Sequence, residues 1–413
     1  MKQRILAIVL ILALVTLSGC WNEDEPKDLA SVNSILYDID DDGKYRLVIE
    51  VLSPLPSGGG GGDSDKIKKS PLDPISGEGD SIREALVNLA RSVEKRIFAG
   101  HNKVRLFTER FALKGMLPML EVSSRDRLMD ETPLMIVVKA ENPDEVFSSA
   151  IGLSDMVGDY FENLATQQER HTSKAVTVTT LDFIKDYYLE GKQPVMGVAQ
   201  LIDKDSLSSK SSGSDSEGEQ QSSESGNEEG EDEKIIVYEG LAAFKEDKLV
   251  GYMNAIETRS YNLITKSVNT SLMSLPPEDQ PTVVRISNSK ANIKTFLEND
   301  KVSVLVNIKA TLHVVEESGD LDVTMPEPLK TVEARFNKLM EKEVAKTVLK
   351  AQTEFKSDIF GFGRQLHIQH PNRWPDFKDD WDEHFSKASV EIAIESSVVR
   401  SGQIKKPLST EDE

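Results

Sequence analysis

Apolar positions along the chain switch between runs, alternation and helical spacing. Residues 5–17 are apolar apart from Thr16 and follow Lys2 and Arg4. About 13 residues suits a signal-peptide core and falls short of the ~20 that span a bilayer. Residues 35–38 and 45–52 predict two strands, joined by a hairpin turn at Asp40, Asp41, Asp42 and Gly43. Ile82, Leu86, Leu89, Val93 and Ile97 recur at helical spacing. Asp80 and Ser81 are cap candidates, Ser81 with Glu84 makes a capping box, and Gly100 ends the predicted helix. A strand is predicted over 134–139, a helix start at Asn142, Pro143, Asp144 and Glu145, and a short helix over 180–190 stopped at Gly191. Strands over 195–202 and 235–244, a return at 249–252 and a helix over 254–271 follow. Pro276 and Pro277 mark a boundary. Beyond it come strands at 282–287, 293–296 and 302–315. A long helix over 327–357 is carried by Val332, Phe336, Leu339, Met340, Val344, Val348, Ala351 and Phe355. Val390, Ile392 and Ile394 alternate as a half-buried strand.

These elements predict an α+β protein of two to three units, with antiparallel or mixed sheets covered by helices. The divisions are a signal peptide at 1–19, a lipidated tether at 20–33, an N-terminal α+β domain at 34–140 and a middle α+β domain at 141–273. A C-terminal domain at 281–402 pairs an antiparallel sheet with the long helix, and 403–413 is a tail. Residues 203–234 carry roughly 11 acids against 3 lysines and few apolar side chains, so they are expected to be a disordered insertion. Strands on both sides make the insertion an elaborated loop, because closure entropy grows only logarithmically with length. Residues 54–69, with glycines at 58–62, read as a second flexible loop.

Charge narrows the function. Among 413 residues, 49 Lys and Arg face 70 Asp and Glu, a net charge of −21. That argues against nucleic-acid binding and against docking on anionic lipid through a polybasic patch. One cysteine excludes an internal disulfide and a thiolate zinc site. It is Cys20, directly after Leu17, Ser18 and Gly19. This is the lipobox pattern of bacterial lipoproteins, in which the thiol receives a diacylglyceryl group and the chain is cut before it. Two acyl chains meet the requirement for stable anchoring.

Other candidate chemistry is incomplete. Asp38, Asp40, Asp42 and Gly43 open like a calcium loop, but Ile49 stands where a bidentate glutamate belongs and the flanks alternate as strands. Ser92 and Lys95 have the Ser-x-x-Lys spacing without its partner motifs. His367, His370 and His384 lack the helical zinc-ligand pattern. The glycines at 58–62 lack the following Lys and Ser or Thr of a phosphate loop. Trp374 and Trp381 are a stacking face or, more simply, core anchors.

The chain resembles the Ger(x)C family, the lipoprotein C subunits of spore germinant receptors. The likeness runs from Gly19, Cys20 and Trp21 through 100–104, 115–118 and 125–126, then 240–245 and 248–251. It is densest at Asp358, Ile359, Phe360, Gly361, Phe362 and Gly363, at 370–374 and at Trp381. Asn22 and Glu23 depart from the family's usual Asp then Arg. The resemblance implies a non-enzymatic subunit on the outer face of the spore inner membrane. It implies integral-membrane A and B subunits of the same receptor as partners, and a response to small-molecule germinants. Only the lipidated Cys20 carries over as a site; no catalytic residue, metal ligand or cofactor does. A lipid-anchored solute-binding protein of a transporter is the alternative; it would need two lobes around a ligand cleft.

Overall fold

The computed structural model describes residues 28–52, 74–125, 130–150, 152, 154, 156–204, 234–277, 282–317 and 325–400. The signal segment, Cys20, the glycine run and residues 205–233 of the insertion lie outside the described residues. β1 (Leu29–Ile39) and β2 (Tyr45–Leu52) form the predicted hairpin, with Ile39 opposite Tyr45. β3 (Ile75–Gly79) adds antiparallel to β2 and leads into α1 (Ile82–Ala90). The Ser81 hydroxyl accepts from Glu84 N as the capping pattern requires, while the Glu84 carboxylate accepts from Asp80 N. The helix stops at Ala90, ten residues before Gly100, and Ile97 lies instead in β4 (Arg96–Phe98). β4 runs parallel to the start of β1, whose edge offers backbone partners that a continued helix would leave unmet.

Next come β5 (Val104–Thr108), α2 (Glu109–Lys114), α3 (Leu117–Arg125), β6 (Leu134–Lys139), α4 (Glu145–Ser149), α5 (Val157–Thr172) and α6 (Thr180–Tyr188). β7 (Val195–Asp203), β8 (Lys234–Lys245) and β9 (Lys248–Met253) complete a nine-stranded sheet. Its order is β3-β2-β1-β5-β6-β7-β8-β9, with β4 beside β1. Strands from both sides of residue 140 therefore share one sheet. β1, β5, β6 and β7 are mutually parallel and buried on both faces, which explains their nearly unbroken apolar runs. Leu36, Leu106 and Ile136 face α5, whereas Tyr37, Phe107 and Val137 join the larger core. α5 is seated by Glu50 of β2. Its buried carboxylate accepts from Val157 N at 3.0 Å, where the helix dipole favours negative charge.

α7 (Ala255–Thr265) crosses to the second sheet, capped by Asn254 and Glu257 in a reciprocal box. β10 (Ser271–Leu275), β11 (Thr282–Glu298) and β12 (Lys301–Glu317) are antiparallel. The strands expected at 282–287 and 293–296 are one strand. A register shift between Ile286 and Asn288 breaks the alternation that made them look separate. α8 (Pro326–Lys350) continues into one π-turn, Ala351–Phe355, ended by Lys356 in the left-handed region. α9 (Phe362–Gln369) and α10 (Trp381–Lys387) lead to β13 (Ser389–Arg400), which pairs parallel to β12. The C-terminal sheet, expected to be antiparallel, is thus mixed. A parallel neighbour needs a long crossover, and residues 318–388 supply it. One apolar core runs through both sheets, from Tyr37 and Phe244 to Val304, Val344 and Phe360. Ion pairs Arg259–Glu343 at 2.9 Å and Lys350–Glu257 at 2.8 Å fasten α7 to α8.

Candidate functional site

A buried polar constellation lies where the two sheets meet. The turn between the π-turn and α9 brings Asp358 under the first turn of α9. Its Oδ1 accepts from Gly361 N at 2.9 Å and Phe362 N at 3.1 Å. Its Oδ2 accepts from Gly363 N at 2.8 Å and from the Trp381 indole at 2.9 Å. The group is fully buried. Burial pushes its carboxyl up to about 6, against the four N–H donors that favour the charged form. The backbone carbonyl of Asp358 accepts from Gln193 N, Arg364 N donates to Gly191 O, and Ser357 Oγ donates to Phe244 O. The 191–193 loop after α6 and the 357–364 turn are thereby interlocked. Gly363 has no room for a side chain, since a Cβ would sit 2.6 Å from the Trp381 ring and 2.8 Å from Gly191 Cα.

Trp374 is buried and donates to the Glu190 carboxylate at 2.8 Å. Trp381 packs against it with ring centres 5.6 Å apart. Both are core anchors and not an open stacking face. His367 stacks on Trp374 at 5.3 Å, His370 Nε2 lies 3.0 Å from Thr295 O, and His384 meets the edge of Phe377. The three histidines point to different partners. Ser92 Oγ donates to Leu89 O at the end of α1. Asp38 is buried and accepts from Thr108 Oγ1 and Arg110 Nε at 2.7 Å each. Burial opposes its ionisation, but the Arg110 and Thr108 bonds and the Arg110 charge hold its carboxyl below the ordinary value. Asp40 accepts from Lys44 N within the turn, so these acids do not converge on a cation. Among the described residues no cluster of His, Cys, Asp or Glu is placed to hold a metal.

Two features escaped sequence reasoning. Asp358 stood in a recognised motif, yet its role depends on Trp381 and the 191–193 loop. Arg105 of β5 is fully buried, donating to Ser123 Oγ and Thr180 Oγ1 at 3.1 Å and to Asp130 O at 2.7 Å. The one sequence signal was a charge inside an apolar strand pattern. Beside the Asp358 turn opens a cavity of about 540 Å3, between Lys192, Ile264, Phe360, Arg364 and the strand edge at 291–293.

The sequence matches the family description "Spore germination protein N-terminal domain" over residues 22–201 and "Spore germination B3/ GerAC like, C-terminal" over 239–402. Spore germination protein KC of Bacillus subtilis is 25% identical, across 98% of this chain and 98% of its own. Spore germination protein B3 of the same organism is 23% identical across 96% and 98%. Spore germination protein GerQC of Bacillus cereus is 22% identical across 97% and 99%. The crystal structure of the GerBC protein superposes with a TM-score of 0.52 at 19% identity, over 88% of this chain and 96% of that one, and shares the fold. Fold and matches together define a multidomain α+β spore germination protein. The chain belongs to the Ger(x)C family.

Proposed function

We propose that this chain is a non-enzymatic lipoprotein subunit of a spore germinant receptor. Cys20 carries the lipid anchor, and the folded body lies on the outer face of the spore inner membrane. Integral-membrane A and B subunits complete the receptor, which responds to small nutrient molecules. The observation that carries this reading is the ordered likeness along nearly the whole chain, spanning both family regions. Two facts support it further. The side chains that sequence patterns single out are held within the fold, Ser92 and Asp38 by hydrogen bonds and His367 by stacking on Trp374. Among the described residues no helix is long and apolar enough to cross a membrane, and the attachment proposed is through the lipid on Cys20. Palmitate labelling of spores should mark the wild type and not Cys20→Ala, and the variant should leave the membrane fraction. Germinant-triggered loss of optical density should fall with it. Equal labelling and retention would overturn the anchor, and unchanged germination in spores lacking the chain would overturn the role.

A further inference from the structure

Strand β11 outruns its neighbour. β10 pairs only with residues 282–286, so beyond them this edge of β11 meets no strand among the described residues. Side chains cover most of it. Ser267 Oγ donates to Ser289 O at 2.8 Å. Gln369 donates from Nε2 to Ile293 O and accepts at Oε1 from Thr295 N, both at 2.8 Å, and His370 Nε2 reaches Thr295 O. The outward-facing groups thus belong to odd-numbered residues, as the period of two requires. Between the covered stretches lie the N–H and C=O of Ala291 and the N–H of Ile293. This gap is one residue wide, and the 540 Å3 cavity opens onto it.

The cavity wall has a sign opposite to that of the protein. In a chain of net charge −21, Lys192 and Arg364 line it and, among the described residues, no acidic one does. Lys192 is already paired with Asp186 at 2.7 Å. The Arg364 guanidinium has no carboxylate partner among the described residues. Phe360 and Ile264 lie buried behind the wall, whose exposed surface is mostly polar, with Thr265, Asn292, Gln365 and Gln369 contributing. The volume lies within the ~300–1,000 Å3 of small-molecule sites. We propose that this cavity binds the C-terminal residue of a short peptide-like molecule. Arg364 takes the terminal carboxylate through its fork of donors, and the ligand's amide pairs with the Ala291 edge as one residue of an added strand. The inference goes beyond the receptor assignment and does not rest on it.

Calorimetric titration of the full-length chain in detergent with N-acetyl-L-leucine tests this. The same titration with N-acetyl-L-leucinamide removes only the carboxylate. The acid should bind about tenfold more tightly than the amide, on the scale of one charge-assisted contact. Arg364→Gln should weaken the acid by about tenfold and leave the amide unchanged, at an unaltered melting temperature; Arg364→Lys should fall between, because an ammonium lacks the fork. Hydrogen exchange at Ala291 and Ile293 should slow when the acid is bound. No heat from the acid, equal binding of acid and amide, or an unaffected Arg364→Gln variant would overturn the proposal. Inorganic phosphate binding as tightly as the acid would also overturn it, by making the cavity a simple anion site.

Discussion

Asp358 is held between opposing demands. Burial disfavours its charge, and four N–H groups favour it. An unfolded aspartate titrates near ~3.9, and this one at about 6. The folded state binds the proton more tightly, so the stability gained is full below about pH 4 and is lost as pH rises through 6, an effect of ~3 kcal/mol. Asp358→Asn should flatten the pH dependence of the urea midpoint between pH 4 and 7. Its absolute stability should also be lower, since an amide NH2 confronts donors that the carboxylate accepted. A slope as steep as wild type would place the dependence elsewhere. Asp38 works in the other sense: its lowered value makes the Arg110 pair stabilising above about pH 4 and lost as pH falls. Beside Asp358, Gly363→Ala should cost about 1–3 kcal/mol by overpacking against Trp381 and Gly191. A thermal melt within one degree of wild type would show that this turn yields freely.

At the scale of elements, β7 and β8 form an antiparallel ladder from Val195↔Ala243 to Asp203↔Lys234. The insertion therefore joins two residues that are already cross-strand partners. Replacing 204–233 by Asn-Gly should leave a folded protein with a melting temperature shifted by only a few degrees, because loop length enters through a logarithm. Loss of folding would give the insertion a structural role. This hairpin was legible in the sequence, as were the β1–β2 hairpin and the start of α1 at Ser81, because alternation and capping act over a few residues. The C-terminal half of the predicted α1 was not. Val93 and Ile97 fit a helical face, but the edge of β1, some 65 residues away in sequence, claims 96–98 as a strand. Local spacing carries no record of such a competitor.

At the scale of the molecule, one continuous core ties the two sheets together, with α7 between them. Equilibrium unfolding should therefore be a single transition. Fluorescence of Trp374 and Trp381, in a Trp21→Phe background, should coincide with far-UV circular dichroism across a urea gradient. Two separated transitions would mean that the sheets are independent units. The Asp358 turn sits at this junction, with Trp374 reaching Glu190 and Ser357 reaching Phe244 O. Damage there should propagate to both sheets.

The sequence by itself determined the α+β class, most strand positions and, through ordered motif blocks, the family. Those properties depend on spacing within short windows or on sums over the chain. Only the tertiary structure decided that strands on both sides of residue 140 share one sheet and that β13 runs parallel to β12. It alone decided that Asp358 is the hub of a buried network and that Arg364 faces an uncovered stretch of strand edge. These depend on partners far apart in sequence, 184 residues for Trp374 and Glu190 and 113 for Ser357 and Phe244. Which distant groups meet is set by the packing of the whole core, and no local period encodes it.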